Sequence, residues 1–178
     1  TFLATLFLPL EYSIFIGVVL HLGHYVRSSS DHVQVVALDY NKDQHSYREI
    51  PAPKGINRPI TLLSVTGNLF YAGIPLLKQQ LPIIDNSQPA VVIFRMRNVW
   101  YLGTTGIRLM SNYARELQNN GGKLILCGVN SHIIEQLRIY DDAEVIRDLE
   151  IYPSEDTIFD SLHRAWLASE EWLATQTD

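Results

Sequence analysis

Five residues, Leu102-Gly103-Thr104-Thr105-Gly106, set two adjacent hydroxyls between two glycines just ahead of an amphipathic helical pattern. Hydroxyl side chains at the start of a helix have two uses. A side-chain oxygen accepts a hydrogen bond from a free backbone N–H and caps the helix, with Gly103 and Gly106 supplying the tight turn. Alternatively, the free N–H groups of the helix N-terminus receive an anion or a nucleotide phosphate. Arg95, Arg97 and Arg108 lie near the turn and would suit the second use, or they solvate a surface or face a neighbouring domain; neither a P-loop nor a GxGxxG pattern is present. The simpler expectation is that Thr104 or Thr105 caps. Trp100 and Tyr101, beside this polar turn, are read either as an exposed contact for a neighbouring domain or as packing of the loop against its own sheet.

Other residues capable of chemistry do not assemble into a motif. His21 and His24 are three apart on one helical face, but no further metal ligand type stands near them. The single cysteine, Cys127, sits in the apolar run KLILCGV, where a buried structural thiol is expected rather than a nucleophile. The acidic run Asp141, Asp142, Glu144, Asp148, Glu150, Glu155 and Asp156 lacks the glycine and spacing of a calcium loop and reads as a solvated edge. No GxSxG nucleophile pattern occurs. The sequence is therefore read as a non-enzyme without cofactor or metal.

The elements that position these residues fall on two sides of a change of solvent. Residues 1–26 carry one formal charge, Glu11, whereas the chain from Arg27 onward has a polar surface. Pro9 lacks an N–H and disfavours helix at Leu8, which predicts two helices meeting at the LPLE bend. Residues 12–26 would span only about 22 Å at ~1.5 Å per residue, short for a full crossing and suited to a bundle of several membrane helices. The stretch has neither a basic start nor a small-residue cleavage site, so a signal peptide is disfavoured. Arg27 at its exit places this end on the cytoplasmic side.

The remaining ~150 residues fit one domain with its own core. With a net charge of −5 and a pI of about 5.6, nothing favours nucleic acid or an anionic lipid surface as a partner of the soluble part. Strands are predicted over VQVVALDY (33–40), ITLLSVTG (60–67), AVVIF (90–94) and KLILCGV (123–129). The segment NKDQHSYREIPAPKGINRP between the first two reads as a connector because of its prolines. Helices are predicted over about 74–85, with Pro75 in the first turn; after Gly106, with Ile107, Met110, Ala114 and Leu117 inward and Gly121-Gly122 as the stop; over SHIIEQLRIY with Ser131 as cap; and over SEDTIFDSLHRAWLASEEWL, capped by Ser154 or Asp156, with Ile158, Leu162, Ala165 and Trp166 on the inner face. Strands alternating with helices imply a mainly parallel sheet.

This order, with LFYAG before the first helix, LGTTG entering the second and GGKLILCGV after it, resembles the STAS domain of anti-sigma-factor antagonists and SulP-family anion transporters. The lead-in TFLATLFLPLEYSIFIGVVLHL is similar to the end of the SulP membrane domain. The resemblance implies an α/β, STAS-like fold with a mainly parallel β-sheet, preceded by an apolar membrane-helix segment. It implies residues 1–27 as the end of a transmembrane domain, 28–59 as a lead-in strand and linker, and 60–178 as the STAS domain. The whole would be a multi-pass membrane protein with residues 28–178 cytoplasmic. In that family the membrane domain moves sulfate, bicarbonate or related anions. The implied role is that of a regulatory and assembly domain, with the transmembrane domain of the same transporter as partner and a homodimer in the full-length protein. A regulatory protein or nucleotide is a further candidate partner. In antagonist-type STAS domains the matching turn reads Asp-Ser-Ser-Gly, and its first Ser is phosphorylated. Here Thr104 keeps the hydroxyl while Gly103 replaces the Asp, so a phosphoswitch or anion-binding STAS module is the alternative reading.

Overall fold

The structure, a computed structural model, describes residues 9–30, 33–41, 46–67, 69, 73–84, 89–139, 149–157 and 159–176. Helix α1 (Leu10–Ser30) leads into strands β1 (Gln34–Asn41), β2 (Ser46–Pro51) and β3 (Ile60–Thr66). Then follow helix α2 (Ile74–Gln80), strand β4 (Val91–Asn98), helix α3 (Thr104–Asn119), strand β5 (Lys123–Val129), helix α4 (Ser131–Ile139), strand β6 (Glu150–Pro153) and helix α5 (Asp160–Thr175). The six strands form one sheet in the order β2-β1-β3-β4-β5-β6. β1 is antiparallel to both neighbours, and β3 to β6 run parallel.

This topology dictates the layers. Successive right-handed crossovers from β3 to β6 add each strand on the same side of the last, so α2, α3 and α4 fall on one face of the sheet. The other face would stand bare, and α5 covers the part of it formed by β4, β5 and β6. β4 shows the consequence residue by residue. Val92, Phe94 and Met96 join the core under α2 to α4, whereas Val91 and Ile93 join a second core with Leu162 and Ala165 of α5. A strand buried on both faces needs a continuous apolar run, and AVVIF supplies it.

Three of the predicted strands occur where expected, and β4 continues beyond Phe94 to Asn98. Two strands escaped prediction. β2 lies in the proline-bounded segment expected to be a connector, because Ser46–Pro51 is held by hairpin pairing with β1 rather than by a hydrophobic pattern. β6 is four residues long and pairs only with β5. Glu150, expected on a solvated edge, is instead half-buried in β6 with its carboxylate 2.6 Å from Lys123 Nζ. Residues 141, 142, 144 and 148 of that acidic run, and Ile158, lie outside the described residues.

Helix ends follow their local chemistry, with corrections. α2 stops at Gln80 rather than near 85, where the Gln80 side chain turns to serve β1: its Oε1 accepts the Val35 N–H at 2.9 Å. α3 ends as expected: Gly121 has φ +72°, and the Gly122 and Gly121 N–H groups return to the Leu117 and Gln118 carbonyls at 2.7 and 3.0 Å. α4 is capped by Asn130, not Ser131, since Asn130 Oδ1 accepts the Ile133 N–H at 2.9 Å. α5 begins at Asp160 without a side-chain cap, so neither Ser154 nor Asp156 fills that role; Phe159 in the left-handed region precedes it.

Helix α1 starts immediately after Pro9, where the sequence placed the break, and residues 1–8 lie outside the described residues. Leu10, Phe15, Val19, Leu20 and Tyr25 are all exposed. Among residues 9–25 only Ser13 is buried. No helix among the described residues is long and apolar enough to cross a membrane. In α1 the polar residues Glu11, His21, His24 and Arg27 interrupt the apolar run.

Candidate functional site

The turn before α3 is built by pinning a loop on both sides of two aromatic residues. Val99 and Leu102 are fully buried, while Trp100 and Tyr101 between them are 76% and 46% exposed. The backbone is tied at each step. Val99 N–H donates to Met96 O at 3.0 Å, the Val99 carbonyl accepts from Asn130 Nδ2 at 2.9 Å, and Gln136 Oε1 accepts the Leu102 N–H at 3.4 Å. Leu69 forms an isolated parallel bridge with Leu102. Through it the Leu69 N–H donates to Tyr101 O and the Gly103 N–H donates to Leu69 O, at 3.2 and 2.9 Å.

That bridge decides the helix start. Gly103 is extended at φ −71°, ψ 164° and is itself the cap position, with no side-chain cap hydrogen bond. Its carbonyl accepts the Ile107 N–H at 3.0 Å. Thr104 is thus the first helical residue, and the expectation that Thr104 or Thr105 caps is corrected. Committing the Gly103 peptide to Leu69 moves the boundary one residue ahead of the hydroxyls. Both threonines are exposed, whereas Gly106 is buried against Leu69 and Leu102.

The arginines do not converge on this turn. Arg95 and Arg97 project from β4 to the α5 face, and the sheet separates them from α3, which carries Thr104 and the exposed Arg108. The Arg95 guanidinium lies 5.2 Å from the Phe159 ring centroid, and that ring stacks on Tyr47 at 5.0 Å. Burial pushes the Arg95 pKa down, and neighbouring Arg97 adds to the effect. Arg97 donates to the Glu155 carbonyl at 3.3 Å. Phe159 has φ +75°, a strained conformation for a bulky residue. No spacing pattern links residues 47, 95 and 159, so this cluster was invisible in the sequence.

The register shows which end of the sheet these features occupy. Gln34 of β1 pairs with Thr66 of β3, and Thr66 pairs with Asn98 of β4. The residues that follow α1 therefore enter the sheet at the end where β4 gives way to Trp100, Tyr101 and the Gly103–Gly106 turn. Two strand spacings, roughly 10 Å, separate β1 from β4 there.

Elsewhere, Cys127 is fully buried, and burial pushes its thiol up to about 12. For Glu150, burial acts to raise the pKa, but hydrogen bonds from Lys123 and Tyr152 outweigh it and hold the carboxyl below its ordinary value. An open groove of about 510 Å³ between β1, the start of β3 and Trp166 carries the Asp39–Arg58 ion pair, 2.5 Å apart. His21 and His24 are exposed on α1. Among the described residues no group of three or more His, Cys, Asp or Glu could hold a metal ion.

The sheet order, the three crossover helices on one face and the turn entering α3 define an α/β domain of a known kind. The STAS domain profile matches residues 48–165, and the chain belongs to the STAS domain family. A curated relative, "Putative sulfate transporter YvdB" of Bacillus subtilis (strain 168), is 24% identical over 140 residues, covering 77% of this chain and 24% of the relative. The structure of the murine Slc26a9 anion transporter in the inward-facing state matches with a TM-score of 0.74 at 18% identity, covering 96% of this chain and 27% of that one. A structure of SLC26A9 matches with a TM-score of 0.66 at 17% identity, covering 98% of this chain and 30% of that one. These likenesses support the resemblance to the C-terminal part of a SulP-type protein, and the chain spans about a quarter of the length of the curated relative it matches.

Proposed function

We propose that this chain is the cytosolic regulatory and assembly STAS domain of a SulP-like secondary anion transporter, together with the last part of its membrane domain. The cargo of the membrane part would be sulfate, bicarbonate or a related anion. One observation carries the reading: α1 exposes apolar residues all around its circumference, while the α/β core is complete without it. Exposed large apolar side chains on most sides of a helix favour an apolar environment. Residues 1–27 then pack within a membrane bundle, residues 28–178 stand in the cytoplasm, and the domain supports protomer contacts in a homodimer. The fold likeness to Slc26a9, which extends over 96% of the chain, agrees with this arrangement.

The test compares the full chain with one starting at Ser28. The shorter chain should be soluble and folded in aqueous buffer, whereas the full chain should need detergent or self-associate through residues 1–26. Identical detergent-free monomeric behaviour of both would sink the reading. The alternative, a phosphoswitch or a nucleotide-binding module, has the exposed Thr104 hydroxyl in its favour.

A further inference from the structure

We infer that Trp100 and Tyr101 are an interfacial anchor, inserting into the headgroup region of the bilayer below which the domain hangs. The inference rests on the reading of α1 as part of a membrane bundle. Given that reading, the sheet register turns the end bearing Trp100 toward the membrane, because Gln34, four residues beyond the last residue of α1, shares a register line with Asn98 through Thr66. Trp100 follows Asn98 by two residues.

The chemistry of the loop fits a lipid interface better than a protein partner. Trp and Tyr each join an apolar ring to a polar tip, the combination that favours the headgroup level. Among the described residues, the exposed chain neighbours of the pair are polar: Asn98, Thr104 and Thr105 are exposed, and Gly103 is half-buried. A protein–protein interface would be expected to build a contiguous apolar centre around such a pair. The display is also rigid. Val99 and Leu102 are buried on either side, and hydrogen bonds with Asn130, Gln136 and Leu69 fix the backbone of the loop. Holding a 76%-exposed tryptophan in place costs little further entropy when it inserts.

The experiment uses the full chain with Trp166→Phe and Trp172→Phe, which leaves Trp100 as the only tryptophan. It is reconstituted in phosphatidylcholine bilayers containing lipids brominated at shallow or deep acyl positions. The expected result is a blue-shifted Trp100 emission quenched more strongly by shallow bromines than by deep ones. Emission typical of water, without quenching, would overturn the inference. So would a blue shift that grows with protein density but is insensitive to bromine, which would assign the surface to a second copy of the chain. A parallel probe, Phe15→Trp with all three native tryptophans replaced by Phe, reports on α1. Quenching of that probe without quenching of Trp100 sinks the anchor alone, and an unquenched Phe15→Trp probe sinks the membrane reading on which it rests.

Discussion

Gly106 of α3 lies so close to Leu69 that a β-carbon on it would sit 3.0 Å from the Leu69 carbonyl oxygen and 2.7 Å from Leu102 Cδ1. The same Leu69 carbonyl accepts the Gly103 N–H. One backbone oxygen thus fixes both the first turn of α3 and the loop that displays Trp100. Gly106→Ala should destabilise the domain by about 1–3 kcal/mol through overpacking, even though Ala favours helix by roughly 1 kcal/mol. Gly23→Ala on α1, where a β-carbon meets nothing within 4 Å, is the control and should leave the unfolding midpoint of the domain unchanged. Urea denaturation of the two variants decides it; equal midpoints would contradict the close approach.

Thr104 makes no cap hydrogen bond, so its removal should be nearly silent. Thr104→Ala is expected to change stability by less than about 0.5 kcal/mol, as for an ordinary surface site. Thr104→Glu places a negative charge in the first turn and should stabilise by about 0.3–1 kcal/mol. In a full-length transporter, flux normalised for surface expression should be nearly the same for both variants if the domain is a structural regulator. A large effect confined to the Glu variant would favour the phosphoswitch reading.

How much of this could be read from the sequence depended on whether a pattern was local. Val92, Phe94 and Leu126 announced buried strands because both faces of β4 and β5 are covered, and Ile107, Met110, Ala114 and Leu117 announced the inner face of α3. β2 was missed because Ser46–Pro51 has no hydrophobic period and exists through pairing with β1. The grouping of Arg95 and Arg97 with Thr104 failed because chain proximity says nothing about which face of a sheet a residue takes. Alternation along β4 sends both arginines to the α5 side. The cap at Gly103 was hidden for a related reason, since it depends on Leu69, more than thirty residues earlier.

Asn130 joins α4 to the loop that displays Trp100: its Oδ1 caps α4 and its Nδ2 holds the Val99 carbonyl, each at 2.9 Å. Asn130→Ala should cost about 0.5–2 kcal/mol for the lost cap alone. Asn130→Asp keeps the acceptor but not the donor, so it should restore the cap while leaving the loop free. Hydrogen exchange separates the two effects. In Asn130→Ala both the Ile133 and Leu102 amides should exchange faster, whereas in Asn130→Asp only Leu102 should. Unchanged protection at both amides in Asn130→Ala would refute the coupling.

Burial of Cys127 should make the domain less stable at alkaline pH. Burial raises its thiol from 9.0 to about 12, so the folded state disfavours the thiolate and the unfolded chain loses its proton first. A group raised on folding stabilises fully below its unfolded pKa, and that contribution disappears as pH climbs toward the folded value. Stability should therefore fall between pH 9 and 12 by up to roughly 1.4 kcal/mol per pH unit for this one group. Tyr152, raised from 10.0 to about 12 by burial and by its hydrogen bond to Glu150, adds a second decline that begins a pH unit later. Cys127→Ala should be less stable at neutral pH because of the cavity it leaves, yet lose less stability between pH 9 and 10 than the parent. The thiol itself should resist a disulfide reagent at pH 8 and react only as fast as the domain opens. Reaction at the rate of a free cysteine in the folded protein would show that the thiol is not enclosed between β4, β5 and α5.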